Sequence, residues 1–244
     1  MTGNLHKQTT SRLAGGNRLR RWRDLKLVFL VEAGAAIAAG FPFVVALGYP
    51  DYDHASQFIS ELGAVGSPVA LIARIAGFLP AGLFLCAGLG LVAVDRRLSV
   101  AGRLGALGLI LFAAGYLVAV VVPCDAGCPL EGGSVRQNIH NALGSLGYFV
   151  APLALILIGA SFLTRRHIAL ASGFFSLALA ALTGLILLAL TAGPPGLAQR
   201  GLEYAVLLGC VALVRTRSEL SADKVRLLRE GESSSETHSG AGRG

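Results

Sequence analysis

The chain has 244 residues, 54% of them hydrophobic and 14% charged, with a mean hydropathy of +0.65 and a formal net charge of +7. Soluble domains carry about a quarter charged residues, so this composition excludes an ordinary soluble domain and points to a membrane protein. Nucleic-acid binding, the other reading of a basic chain, is set aside: the positive charge lies beside the ends of apolar segments, with neither zinc-finger spacing nor a basic stripe interleaved with aromatics.

The sequence divides into a basic tail (1–24), an apolar domain (25–216) and a charged tail (217–244). The first tail is rich in Gly, Asn and Thr and is expected to be mobile. The last ends in Ser/Gly/Glu low complexity and is expected to be disordered. A signal peptide is not expected, because the first apolar segment starts late, is long enough to span, contains Glu32 and lacks a small-residue cleavage site.

A spanning helix needs about 20 mostly apolar residues. Six segments qualify: Leu25–Tyr49, Val69–Val94, Leu104–Pro123, His140–Leu163, Ile168–Ala192 and Leu197–Val214. The fold class is therefore an all-α polytopic membrane bundle of six helices. In the first span Glu32 is the deep acidic residue, and pairing with Arg103 or Arg165 is favoured over a transport role. The sixth segment is short, and its Arg200 and Glu203 share a helix face where they could pair at the interface. With six spans, 18 of the 21 Lys and Arg residues fall on one side, leaving Arg74, Arg136 and Arg200 for the other. The positive-inside rule then puts both termini in the cytoplasm. No internal repeat of the transporter kind is evident.

Between the first two spans, Ala55, Phe58, Ile59 and Leu62 recur at helical spacing, with Asp53 as N-cap and Gly63 as stop. A short amphipathic helix is expected at the outer interface, its polar side formed by His54, Gln57, Ser60 and Glu61. That side either meets water and headgroups or turns toward a cavity. Arg74, near the start of the second span, can snorkel outward or pair with Asp53 or Glu61.

The connection after the third span carries Cys124 and Cys128 in a Gly/Pro loop on the oxidising side. A disulfide is the main reading. Free thiols or a metal site with His140 are alternatives, and a redox pair is disfavoured because the spacing is not Cys-x-x-Cys. Cys86 and Cys210 lie within spans and read as packing residues. Along the fourth span His140, Gly144 and Tyr148 share a face beside Asn141 and Ser145, a polar stripe that faces protein more often than lipid. It serves a site or simply holds helices together.

The run His54-Ala-Ser-Gln-Phe-Ile-Ser-Glu-Leu-Gly-Ala-Val-Gly-Ser-Pro68 resembles the signature of a family of prokaryotic multipass proteins, domain-of-unknown-function family 998. Its Ser-Asp/Glu-Leu-Gly-Ala element corresponds here to Ser60–Ala64, and its His-x-x-x-Gly element to His140–Gly144. The resemblance covers roughly Leu25 to Val214. It implies the topology and nominates residues, and carries no activity.

Two functional classes follow. One is a membrane-embedded enzyme acting on a lipid or lipid-linked substrate at the outer leaflet, with His54, Glu61, Asp125 and His140 as catalytic candidates. Ser60, Gln57, Arg74, Asn141 and Tyr148 would then contact substrate. His54, Asp125 and His140 would suit a zinc-like divalent metal with an open position for water; without metal, Glu61 or His140 would act as general base. Alkaline ceramidases offer a chemical analogy, but their late His-x-x-x-His pair is missing here. The other class is a non-catalytic scaffold, accessory or lipid-binding subunit. Membrane lipids are the expected partners in both. Transport wants more polar residues at mid-membrane, and a bis-His haem at His54 and His140 ranks equally low.

Overall fold

The computed structural model describes the backbone of residues 2–240, with side chains at Trp22 and from Asp24 to Ser218. Six helices follow one another: α1 (Thr2–Ala46), α2 (Ala70–Ala93), α3 (Val100–Val121), α4 (Val135–Leu163), α5 (Ile168–Ala189) and α6 (Pro195–Gly240). Each has the length and apolarity to cross a membrane, so the chain is a multipass membrane protein. The expected spans agree with these helices to within a few residues at most ends. Leaving the tails aside, the shifts of the spanning parts are largest at the starts of α3 and α4 and at the end of α6, and at the two starts capping serines set the first turn. Ser99 accepts from Gly102 N–H at 3.2 Å, and Ser134 from Gln137 N–H at 3.2 Å. Both polar tails continue the helices they adjoin, α6 running to Gly240.

Consecutive helices pack side by side, and α6 closes the ring by lying against α1, α4 and α5. The perimeter exposes Phe29, Leu71, Leu83, Leu107, Leu153, Leu179 and Ile186. Apolar side chains of that size around every helix fit hydrocarbon, not water. The least hydropathic span, α6, is the most enclosed: 67% of its window is buried, against 28–50% for the other five. Its neighbours are protein, so it need not be as apolar as they are. Glycines allow the closest approaches. A Cβ at Gly105 of α3 would lie 2.8 Å from the Ala154 carbonyl of α4, and one at Gly184 of α5 would lie 2.8 Å from the Ala198 carbonyl of α6. Within α2, residues Ala73–Phe78 form a π-helical turn just before Pro80, whose ring and missing N–H disturb the preceding i→i−4 register.

The six spans define two faces. The terminal face carries both chain ends; the loop face carries the connections after α1, α3 and α5. At the terminal face Glu32 pairs with Arg215 of α6, not with Arg103 or Arg165, because α6 and not a connection packs beside α1. Arg217, also on α6, is buried between Asp24 of α1, at 3.1 Å, and Asp95 of the α2–α3 connection, whose Oδ2 takes Nε at 2.6 Å. Burial would raise the Asp95 pKa, but the Arg97 backbone N–H and the Arg217 guanidinium outweigh it and hold the carboxyl below its usual range.

Removing Arg217 strands two buried carboxylates. Arg217→Ala is expected to destabilise the fold by about 3–5 kcal/mol, read as a lowered unfolding midpoint of the detergent-solubilised protein at neutral pH. The Asp95 contribution is present above the ordinary aspartate pKa and is lost as pH falls through the lowered one. The gap between wild type and variant should therefore narrow in acid; a constant gap refutes the ion-pair account.

Candidate functional site

The loop face is organised from α6. Arg200 is 4% exposed, and its guanidinium donates to the carbonyls of His54 (2.6 Å), Gln57 (3.0 Å) and Gly196 (3.0 Å), and to the Tyr52 hydroxyl (2.8 Å). It also lies 3.1 Å from His54 Nδ1 and over the Tyr52 ring. One residue earlier, Gln199 Oε1 accepts from Ile59 N–H at 2.7 Å, and Leu197 N–H reaches the Ala55 carbonyl at 3.0 Å. Gly196 makes this docking possible, since a Cβ there would sit 2.7 Å from the His54 carbonyl and 2.8 Å from that of Ala55.

These bonds explain why the expected amphipathic α-helix is absent. Its i→i+4 ladder would use the carbonyls of His54, Ala55 and Gln57, and all three are taken by α6. The segment instead makes an Asp53-capped turn, with Oδ1 accepting from Ala55 N–H at 3.0 Å and Oδ2 from the Ser56 hydroxyl at 2.6 Å. A short 3-10 helix, Ile59–Gly63, follows. Glu61 is buried in capping it: Oε1 accepts from Phe58 N–H at 2.8 Å and Oε2 from Gln57 Nε2 at 2.9 Å. Arg74 reaches the loop and not Asp53 or Glu61: its Nε donates to the Gly63 carbonyl at 2.6 Å. The short helix is too compact to leave that carbonyl without a partner.

The second loop is closed by the Cys124–Cys128 disulfide, which packs with Ala64 against Phe58. Val65 N–H donates to the Cys124 carbonyl at 3.0 Å and joins the two loops. Asp125 caps the start of α4. It accepts from Ser134 N–H (2.7 Å), Ser134 Oγ (2.9 Å) and Arg136 (2.6 Å), which hold its carboxyl below the usual range, the Ser134 backbone bond foremost. Gln137, fully buried, accepts from Asp125 N–H at 2.6 Å and donates to the Pro129 carbonyl and Asn141 Oδ1, both at 2.9 Å. His140 Nδ1 lies 2.7 Å from the Val122 carbonyl. A carbonyl only accepts, so Nδ1 carries the proton and Nε2 is the basic nitrogen of the neutral ring.

Between α3, α4, α5 and α6 lies a cavity of about 550 Å³. Phe58, Phe78, Phe112, Val118, Phe149, Leu185 and Leu188 give it apolar walls. Ser60, Glu131, His140, Asn141, Ser145 and Tyr148 contribute polar groups from the loops and α4, and Tyr116, Gln199 and Glu203 from α3 and α6. Glu203 is 3% exposed and is eight residues past Pro195, about 12 Å along the helix. Its two oxygens accept from Tyr116 and Tyr148, each at 2.6 Å, and Tyr148 in turn accepts from Gln199 Nε2 at 2.6 Å.

Of the residues nominated from sequence, His140, Ser60, Asn141 and Tyr148 line this cavity. His54, Gln57, Glu61, Arg74 and Asp125 are held in loop structure by the partners above. The three proposed metal ligands, His54, Asp125 and His140, are not gathered, and among the described residues no group of three or more His, Cys, Asp or Glu side chains is placed to hold a metal. Arg200 and Glu203 do not pair: one serves the loops and the other the cavity. Sequence reasoning missed Tyr116, Gln199 and Glu203 as site residues. The available signal was an acid and an amide well inside a hydrophobic span.

Residues 33–216 match the model of a family described as "Protein of unknown function (DUF998)", and the chain belongs to that family. No curated protein and no solved structure matches significantly.

His54 rests with Nδ1 toward the Arg200 guanidinium and its ring against Phe43 and Tyr52. Burial, then the Arg200 charge, push its pKa below the ordinary 6.5, with Asp53 opposing. Burial likewise pushes the Tyr52 hydroxyl up to about 12. For a base lowered by folding, stability is complete above the unfolded value and is lost as pH falls from there through the folded one. The unfolding midpoint is expected to drop on acidification below 6.5, and His54→Asn to flatten that drop. An equal acid response in both proteins would remove His54 from the account.

Proposed function

We propose that this member of the DUF998 family binds one amphiphilic molecule, a membrane lipid or lipid-linked compound, in the cavity between α3, α4, α5 and α6. In this reading the loop face is outward, both termini are cytoplasmic and the membrane is the inner membrane of a prokaryote. The distribution of 18 of 21 basic residues toward the terminal face supports the orientation.

One observation carries the reading. A cavity of about 550 Å³ combines apolar walls with polar groups from two sources, the loop and α4 side and the α6 side. That volume is within the range of about 300–1,000 Å³ typical of small-molecule sites, enough for a single-chain amphiphile or a head group with part of a chain. Apolar walls take the chain, and Glu203, Gln199, the tyrosines, Asn141 and His140 take the polar portion. In a processing version His140 is the candidate base, because Nδ1 is anchored on Val122 and Nε2 keeps its lone pair. No cofactor is invoked. A specific observation favours the second, structural reading for part of the nominated set: His54, Glu61 and Asp125 spend their polar atoms on the loops themselves. They are assigned to shaping the face of the site, not to its chemistry.

Gly144 and Gly115 line the cavity, and a Cβ at either meets nothing within 4 Å. Gly144→Leu and Gly115→Leu therefore start a side chain in open space at the cavity lining, while improving helix propensity by up to about 1 kcal/mol. Both variants are expected to keep or raise the unfolding midpoint and to lose about tenfold or more of any lipid that native mass spectrometry finds co-purifying with wild type. Undiminished retention of that lipid in both variants would contradict the cavity reading.

A further inference from the structure

We infer that the ligand of this cavity bears a cationic head group, an ammonium seated against the Glu203 carboxylate and the rings of Tyr116 and Tyr148. The inference rests on the cavity reading above and deepens it by naming the head-group class.

The charge lining the cavity has one sign. Glu203 and Glu131 are its acidic residues, and among the described residues no Lys or Arg lines it. A sulfate or phosphate head group would find no cation to meet it and two carboxylates to repel it.

The hydrogen bonds around Glu203 have a direction. Ile59 N–H donates to Gln199 Oε1, the Gln199 amide donates to the Tyr148 oxygen, and Tyr148 is left to donate its own proton to Glu203 Oε1. From the other side Tyr116 donates to Oε2. Both chains of donors end on the carboxylate, the arrangement that favours its ionised, acceptor-only form. Each oxygen receives one hydroxyl, so each keeps a second acceptor position.

The carboxylate has no cation within ion-pair reach among the described residues. Arg200, one turn away, is committed to Tyr52, His54, Gln57 and Gly196. A charge this enclosed within a membrane bundle is costly unless paired. A ligand ammonium supplies the missing partner and two or three further donors. The surrounding rings suit the same charge: Phe112 lies 5.9 Å from Tyr116 and 6.2 Å from Tyr148 between centroids, and Phe78 lies 6.4 Å from Tyr116. Aromatic faces attract cations and offer nothing comparable to anions.

The test uses full-length protein in phosphatidylcholine nanodiscs at neutral pH, with empty nanodiscs correcting for partition. Tritiated dodecylammonium, whose primary ammonium carries three N–H donors, is the probe, below its micelle concentration, and unlabelled dodecylammonium and dodecyl sulfate are the competitors. Wild type is expected to bind one probe per chain saturably, displaced at least about tenfold better by the ammonium than by the sulfate. Glu203→Gln, whose Oε1 still accepts from one tyrosine while its Nε2 donates to the rotatable hydroxyl of the other, is expected to lose that preference, and Gly144→Leu to lose binding altogether. Should Glu203→Gln fail to fold, the wild-type preference alone decides. Equal displacement by the two head groups, or a preference that survives in folded Glu203→Gln, overturns the cationic assignment and leaves the cavity reading standing. Absence of saturable ammonium binding, in protein that still carries a co-purified lipid removable by Gly144→Leu, does the same. Saturable binding that Gly144→Leu leaves intact overturns both, since the site is then elsewhere.

Discussion

Inside a bilayer every polar group must find its partner within the protein, and that constraint acts most strongly on α6. This helix carries Gln199, Arg200, Glu203 and Arg217, all 5% exposed or less. None of them can face hydrocarbon, so α6 must be enclosed by the other helices. The rest of the architecture follows from the partners these four residues require. Arg217 reaches α1 and the α2–α3 connection, Glu203 reaches α3 and α4, and Gln199 and Arg200 hold the loop after α1. Apolar packing through Gly105 and Gly184 brings the backbones close, but it is non-directional; the polar contacts of α6 fix which helix faces which.

The same contacts override local preference in the first loop. The spacing of Ala55, Phe58, Ile59 and Leu62 suits an α-helix, and in isolation the Asp53 cap and Gly63 stop would support one. Three carbonyls diverted to α6 leave room only for a turn and a five-residue 3-10 helix, Ile59–Gly63. Ile59 and Leu62 still go inward, as their periodicity requires. The polar face does not survive as a face: Glu61 turns in to cap, His54 turns to Arg200, and Ser60 reaches the cavity. The Cys124–Cys128 loop then packs on this rearranged segment through Phe58 and Ala64, so both loops become a wall of one pocket.

Hydropathy made the six spans and their approximate ends legible, because the bilayer imposes length and apolarity on any spanning helix. The stripe His140, Asn141, Gly144, Ser145 and Tyr148 was legible for a related reason: helical periodicity puts those residues on one side, and all five line the cavity. The partners of Glu203 were not legible. Tyr116 and Tyr148 are 87 and 55 positions away, and Ile59 is 140 from Gln199. No local pattern encodes such pairings. Arg200 and Glu203 invited the opposite error, since residues three apart on a helix suggest a pair. Burial on all sides gave each a different set of neighbours. Residue type also misled: His54, Glu61 and Asp125 carry catalytic functional groups, yet their chemistry is absorbed by capping and by Arg200.

What separates the structural polar groups from the candidate functional ones is residual capacity. Asp125 accepts from three donors and Glu61 from two backbone-shaping ones, and neither lines the cavity. Whatever capacity they retain faces loop structure and not the cavity. Glu203 differs in where it stands: it lines the cavity, each oxygen has a position left there, and among the described residues no ion pair reaches it. His140 likewise lines the cavity with one ring nitrogen anchored and the other not. A bundle stabilised for packing alone would gain by replacing a buried carboxylate and its two tyrosines with apolar residues of similar volume. Among the described residues no ion pair reaches Glu203, holding a carboxylate in a membrane core that way costs stability, and the cavity in front of it is where an occupant would offset that cost.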